Sequence, residues 1–411
     1  MAKREEIYTG LDIGSFKITT VVGKPNDEGS LDVIGVGVSH TTGVRKGIVN
    51  EIEETVSGIS ESLELAERMA GVPLGAATVN INGSHVSSIS SKGAVAVGRA
   101  DQEVTFEDTL RVEEAAKAIQ ISANKDILHV IPGIYSVDGQ EGVKDPVGMN
   151  GVRLEGEVHI VAVSQPAVKN LKKCTSQAGI AIQDIIASPI ATAKAVAEKR
   201  EMELGCVVLD IGSTTTGIVV FEEERPLHTA VLPIGSAHIT NDIAIGLRTS
   251  IDVAEKVKIK YGTCLPKSVQ EREKIDLSEI DMNEEGMISR KQVAEIIEAR
   301  LIEIFMLVKE ELRKIRRDGM LPGGALLSGG GAKLTDIDAV ARGVLKLPSV
   351  IAKPHHLSGM VDKVYDPRYS TAVGLMLYQF EENEGRIDKS STVLFDRSIK
   401  FLKKIFKTFL P

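Results

Sequence analysis

The chain has 411 residues, 43% of them hydrophobic but only 4% aromatic and none of them tryptophan, so it can bury a large aliphatic core in two domains or lobes. A formal charge of −8, with no basic stripe interleaved with aromatics ahead of the last stretch, excludes a general nucleic-acid binder. Cys174, Cys206 and Cys264 are scattered and odd in number, and no apolar run of signal-peptide or membrane-spanning length occurs, which points to a reducing cytosol and neither secretion nor a membrane span.

The first predicted element is residues 7–23, IYTGLDIGSFKITTVVG, a strand, a tight turn and a second strand, with Asp12 closing the first. Another strand spans 31–38. A helix follows in which Ile52, Val56, Ile59 and Leu63 form one apolar stripe, ending at Gly71-Val72-Pro73. After a strand at 78–81 the character changes. Residues 84–157 hold strands at 86–90, 93–97 and 127–137 and an acidic helix at 106–121, followed by a Gly/Asp/Pro loop and a strand over 153–163. This reads as a small α+β module inserted into the first lobe, with 160–163 resuming that lobe's core strand; the alternative is a simple extension of the first sheet. Pro166 starts a helix over 167–177, and 181–186 is a strand. The next helix presents Ala187, Ala191 and Ala195, a small face that lets another helix approach closely.

Residues 207–220, VVLDIGSTTTGIVV, repeat the grammar of the N-terminus. Asp210 ends the strand, Gly212, Ser213, Thr214 and Thr215 make the turn, and Gly217 opens the return strand. Such turns offer amides and short hydroxyls to an anion, while the carboxylate can hold a hydrated divalent cation. Either stretch alone also describes an ordinary β-hairpin; the pair describes two like-built halves that could clasp a polyphosphate. Beyond it come a strand at 228–234, helices at 239–247 and 250–261, a polar loop over 263–286 and a long amphipathic helix at 289–317. The second of these helices carries Glu255, Lys256, Lys258 and Lys260, a cluster that in most helices is a solvated face. A strand at 325–327 runs into Gly329, Gly330 and Gly331, whose bare backbone lets a flat ligand lie against it, or which serve as a flexible linker. The last helix of the body, 369–380, again offers small residues, Ala372 and Gly374, to cross the alanine face. The tail joins a polar linker, 381–392, to a basic amphipathic stretch, 393–411. There Ile399, Leu402, Ile405, Phe406 and Phe409 oppose Arg397, Lys400, Lys403, Lys404 and Lys407. This describes a helix lying in an anionic membrane interface; docking on the body or in another protein's groove are the alternatives.

The two acidic turns, the late glycine turn and the two small-faced helices resemble the actin superfamily. With the inserted module, the stretch HVIPGIYSVDG…DPVGMNGVRL at 129–154 and the basic tail, the whole chain resembles the bacterial cell-division FtsA family. The resemblance implies an actin-like two-lobed α/β ATPase fold with an inserted α+β subdomain and a C-terminal amphipathic helix. Residues 1–83, 158–195 and part of 369–380 would form the first lobe, and 196–368 the second, with a subdomain over about 235–318. It implies ATP with Mg2+ between the lobes, with Asp12 and Asp210 on the metal and Gly14, Ser15, Lys17, Gly212, Ser213, Thr214 and Thr215 on the phosphates. Glu255 and Lys258 would meet the ribose and purine, and Gly329, Gly330 and Gly331 the adenosine. It further implies head-to-tail filaments on the inner membrane face at the division site, other division proteins as partners, and a lobe that receives the C-terminal peptide of FtsZ on the face carrying Arg300. Many relatives write DIGGGT where Ser213 and Thr214 stand here; the added side chains restrict the turn and make rapid hydrolysis doubtful, and no residue stands out as a catalytic base. The runners-up are a type IV pilus-assembly relative and a small-molecule kinase on the same core.

Overall fold

A computed structural model of the chain describes residues 6–98, 101–119, 121–282 and 284–387. The residues expected at a membrane, Ile399, Lys400, Leu402, Lys403, Lys404, Ile405, Phe406, Lys407 and Phe409, lie outside them. Two mixed sheets follow one plan. In the first, the antiparallel trio Tyr8–Ile13, Lys17–Pro25 and Leu31–His40 is continued, on the side of its first strand, by the parallel strands Ala76–Ile81 and Ala181–Ala187. In the second, Cys206–Ile211, Thr216–Glu222 and Arg225–Leu232 repeat the trio, and Gly324–Ser328 and Ser349–Ile351 repeat the parallel pair. The expected two like-built halves are therefore present strand for strand. The near-continuous apolar runs, such as the buried Cys206, Val207, Val208 and Leu209, suit strands covered on both faces.

Helix Ile52–Ala70 covers the first sheet through Ile59 and Leu63, as the stripe predicts. Helix Arg290–Lys314 covers the second with Val293, Ile297, Leu301, Ile304 and Val308, all fully buried. Between the sheets, helix Ser188–Val196 crosses helix Ser370–Ile387, and the small residues explain how closely. A Cβ on Gly374 would run into the Ala191 carbonyl, and one on Gly10 into the Ala372 carbonyl. Gly374→Ala is therefore expected to lower stability by ~1–3 kcal/mol in urea unfolding, the usual cost of overpacking. Gly343→Ala is the control: its Cβ meets nothing within 4 Å, and a glycine replaced inside a helix gains about 0.5–1 kcal/mol.

Residues 87–164 include a sheet of their own. Ser87–Ala96, Arg153–Ser164, Lys125–Val137 and Gln140–Val143 pair antiparallel in that order, with helix Phe106–Ala116 packed on the first two. A single pair, Ala230 with Ser87, joins it to the edge of the second sheet. The stretch 160–163 does not return to the first sheet as expected: it is the end of Arg153–Ser164 and stays paired within the insertion. Val161 and Val163 do lie in the first lobe's core, so their apolar run reports burial correctly and strand partnership wrongly.

Three further segments differ from expectation. The loop expected over 263–286 contains Lys274–Asp276, which pairs with Met287–Ser289; strands this short and polar leave no alternation to read. Leu357–Gly359 joins the first sheet beside Leu31–His40, so the chain returns there before residue 369. The last helix continues past 380 to Ile387, into the stretch read as linker.

Candidate functional site

Strand pairing fixes the geometry of both acidic turns. Ile13 pairs with Ile18 and Ile211 with Thr216, leaving four residues in each turn. The Gly14 amide donates to the Lys17 carbonyl at 3.1 Å, and the Gly212 amide to the Thr215 carbonyl at 2.9 Å. Gly14, Ser15, Phe16 and Lys17 thus correspond one for one to Gly212, Ser213, Thr214 and Thr215. Asp12 and Asp210 stand at equivalent positions in the two strands, close enough for the charge of Asp210 to act on Asp12.

Electrostatics show how near they are. Desolvation raises the Asp12 carboxyl from its ordinary 3.8 to about 7; the charge of Asp210 adds to this and Lys17 opposes it. Desolvation likewise raises Asp210 to about 6, against hydrogen bonds from Thr371 and Thr192 and the charge of Lys17. The Lys17 ammonium falls to about 8 through desolvation, with Asp12 pulling it back up. Its Nζ donates to the Arg368 carbonyl at 3.0 Å and lies 4.4 Å from the centre of the Tyr369 ring. The charges of Arg368 and Lys333 lower the ammonium further and that of Asp366 raises it, so acidic and basic side chains both act on Lys17.

The surroundings hold both acids in place. Asn80 accepts from the Ile13 amide at 2.7 Å and donates through Nδ2 to Asp12 Oδ1 at 2.7 Å. Asn82 reaches across the lobes and donates to Thr215 Oγ1 at 3.2 Å. Thr371 Oγ1 donates to Asp210 Oδ2 at 3.3 Å. Sequence reasoning missed all three; the one readable signal was Asn80, an amide side chain inside a mostly apolar, buried strand.

The glycine turn packs directly on the central hairpin. Gly329 has φ +82°, and a Cβ there would lie 2.5 Å from Asp210 Oδ1 and 2.6 Å from the Ile211 carbonyl. Gly331 is pressed against Ile211, whereas a Cβ on Gly330 would meet nothing within 4 Å, so Gly330 alone of the three faces open space.

Helix Ser236–Leu247 begins on the second turn: the Ser236 amide donates to the Gly212 carbonyl at 2.9 Å and the Ala237 amide to the Ser213 carbonyl at 2.7 Å. Glu255 and Lys258, on helix Ile251–Tyr261, attach to it. Lys258 Nζ lies 2.6 Å from Glu255 Oε2 and donates to Thr240 Oγ1 at 2.7 Å, with its side chain buried. Ser15 is tied elsewhere, accepting from the Gly47 amide at 2.9 Å. Arg300 is not brought to the cleft; its guanidinium grips Asp242 with both oxygens engaged, at 2.5 and 2.8 Å, and reaches Glu303 at 2.6 Å.

Among the described residues no three His, Cys, Asp or Glu side chains gather into a self-sufficient metal site. Two carboxylates fit a hydrated Mg2+, a cation that keeps several waters and takes one or two carboxylates beside phosphate oxygens. The Thr214 hydroxyl, buried in the second turn without a partner, is a donor that a polyphosphate there would satisfy. Among the described residues no helix is long and apolar enough to cross a membrane.

Comparison with known proteins gives a consistent result. The family model described as cell division protein FtsA matches residues 207–374, and that of the SHS2 domain inserted in FTSA matches residues 83–162. The cell division protein FtsA of Pseudomonas aeruginosa is 38% identical over 385 residues, covering 94% of this chain and 92% of its own length. That of Borreliella burgdorferi is 36% identical over 405 residues, covering 98% of each. Among solved structures, the PilM-PilN type IV pilus biogenesis complex aligns with TM-score 0.66 and 19% identity over 91% of this chain and 98% of its own. MreB 5 of Spiroplasma citri bound to AMPPNP aligns with TM-score 0.56 and 15% identity over 94% of this chain and 99% of its own. The two structures share the fold. The relatives share the sequence over nearly its whole length, insertion included, and on that ground the chain belongs to the FtsA family of cell-division proteins.

Proposed function

We propose that the chain binds ATP with Mg2+ between its two lobes, assembles head to tail into filaments, and holds the FtsZ ring to the cytoplasmic face of the cell membrane at the division site. The observation that carries the nucleotide part is the pair of corresponding turns, at which the desolvated Asp12 and Asp210 both lie within electrostatic reach of Lys17. Mg2+ supplies positive charge to the phosphates and to the two acids. The turn residues Gly14, Ser15, Gly212, Ser213, Thr214 and Thr215 and Lys17 hold the phosphates. Gly330 gives the adenosine an open surface, and Glu255 and Lys258, tied through Thr240 to the helix that starts at the second turn, meet the ribose and purine. No side chain is assigned to activate water, and the proposal is one of binding. The solved MreB 5 with AMPPNP supports it by analogy of fold.

The test is electron microscopy of the full chain on an anionic lipid monolayer, with ATP and Mg2+, with and without an FtsZ tail peptide. Filaments that need lipid and nucleotide and that bind the peptide are expected; a chain that shows no nucleotide-dependent assembly overturns the filament reading. The pilus-assembly alternative rests on fold alone, at 19% identity, against 36% and 38% for the division proteins.

The grip of Asp242 on Arg300 makes the peptide site testable. If Arg300 reads the FtsZ peptide through carboxylate or carbonyl oxygens, Asp242 competes for the same N–H groups. Asp242→Asn is then expected to tighten peptide binding about tenfold, the worth of one hydrogen bond to a charged group, and Arg300→Ala to remove it. Fluorescence anisotropy of a labelled peptide measures both; unchanged affinity in Asp242→Asn places the site away from Arg300.

A further inference from the structure

One short helix holds a separate tether to each of the two acids. At its first residue, Ser188 Oγ accepts from Asn80 Nδ2 at 3.0 Å, and the same Asn80 nitrogen donates to Asp12 Oδ1 at 2.7 Å. One turn later, Thr192 Oγ1 lies 2.9 Å from Thr371 Oγ1, which donates to Asp210 Oδ2 at 3.3 Å. Ser188 and Thr192 are four residues apart and share a helix face. All four tethering side chains are buried: Ser188 is 1% exposed, Thr192 0%, Asn80 2% and Thr371 7%.

The tethers reach the acids from the two helices that cross between the sheets, the hinge helices of the proposed closure. Asp210 Oδ2 is taken by Thr371, while Oδ1 faces the glycine turn at Gly329. Thr371 belongs to the other hinge helix, Ser370–Ile387, whose backbone is pressed against Ser188–Val196 where Gly374 meets the Ala191 carbonyl. One helical turn is a fixed length of about 5.4 Å, and a contact without Cβ atoms between the two helices leaves no slack to absorb a shift.

We propose that Ser188, Thr192 and Thr371 on the hinge helices, with Asn80 on the adjoining strand, form a gauge that sets the spacing and orientation of Asp12 and Asp210, so that both carboxylates meet one Mg2+ only at a defined closure of the lobes. This rests on the reading of the cleft as a nucleotide site. Thr192 and Thr371 are positioning residues: their hydroxyls touch an acid or each other and act on the metal only through Asp210. Replacing either hydroxyl by a methyl keeps the shape and removes one of the hydrogen bonds that orient Asp210.

The experiment titrates the full chain with a fluorescent ATP analogue, once with Mg2+ and once with EDTA, and compares the affinity gained from the metal. Thr371→Val and Thr192→Val are expected to lose about tenfold of that gain, the scale of one hydrogen bond to a charged group, while affinity in EDTA stays within about twofold. Thr371→Ser and Thr192→Ser, which keep the hydroxyl, are expected to restore it. Valine variants that retain the full metal gain overturn the gauge. So do variants that lose affinity equally with and without Mg2+ and are not rescued by serine, because that describes a packing defect. A wild-type chain whose affinity ignores Mg2+ overturns instead the metal reading of Asp12 and Asp210, and one that binds no nucleotide overturns the reading of the cleft.

Discussion

Asp12→Asn and Asp210→Asn are each expected to raise the unfolding midpoint of the nucleotide-free protein near neutral pH and to abolish the further rise caused by ATP with Mg2+. The two effects have one cause. Desolvation lifts both carboxyls above their ordinary 3.8, to about 7 and about 6, so the folded state prefers the protonated acids. Such a group stabilises the fold fully below its unfolded value, and that contribution is lost as pH rises from about 4 through 6 to 7. Above pH 7 the folded protein holds two charges it would shed, at a cost on the order of a few kcal/mol. An amide removes the charge and keeps the shape, and Asn80 and Thr371 still find an oxygen to donate to. The same substitution takes away one of the two carboxylates proposed to hold Mg2+, and a loss of roughly a hundredfold or more in Mg2+-dependent affinity is expected from deleting a charged partner at that position. Differential scanning calorimetry with and without nucleotide reads both. Variants less stable than wild type at pH 8 in the absence of nucleotide contradict the account.

The histidines of the insertion add a pH dependence of opposite sign. His129 and His159 are buried, and desolvation lowers them from 6.5 to about 4 and about 3. The unfolded chain binds their protons first, so stability falls as pH drops below 6.5 toward 4. The nucleotide-free protein is therefore most stable a little below neutrality, where the aspartates gain their proton and the histidines remain neutral. In the asparagine variants the alkaline side of that maximum flattens and the acid side steepens, because one carboxyl fewer opposes the histidines between about pH 4 and 6.

What could be read from the chain divides along physical lines. The two turns were legible because an acid, a glycine and short hydroxyls stood between β-branched runs, and the runs recur with the same spacing. The hinge was legible for a related reason: Ala187, Ala191, Ala372 and Gly374 mark faces with nothing to keep a partner away, and Gly374 does rest on Ala191. The tethers were not. Asn80, Ser188, Thr192 and Thr371 are isolated polar side chains in buried elements, drawn from three places in the chain, and their meaning arises only when the lobes meet. Arg300 shows the same limit, since its pairing with Asp242 joins two helices 58 residues apart in sequence. Strand partnership in the insertion was also hidden, because an apolar run records that Val161 and Val163 are covered and says nothing of which sheet carries them.

The second large effect concerns the tail, whose role is argued from sequence. Cutting the chain after Ile387 is expected to abolish co-sedimentation with anionic vesicles while leaving thermal unfolding unchanged, because the cut falls at the end of helix Ser370–Ile387 and removes none of the hinge. The removed stretch carries Arg397, Lys400, Lys403, Lys404 and Lys407 against Asp396 alone. Each basic residue near an anionic surface contributes about 1 kcal/mol, and the apolar side chains Ile399, Leu402, Ile405, Phe406 and Phe409 add about 1.5–3 kcal/mol for each one fully buried. The two contributions add, and they respond to different changes. Raising salt screens the lysines and weakens binding without ending it, whereas Phe406→Glu with Phe409→Glu removes apolar area and adds repulsion, and is expected to release the protein even at low salt. Equal pelleting of the shortened chain, or of the double glutamate variant, would mean that the stretch docks on protein and that some other surface meets the lipid.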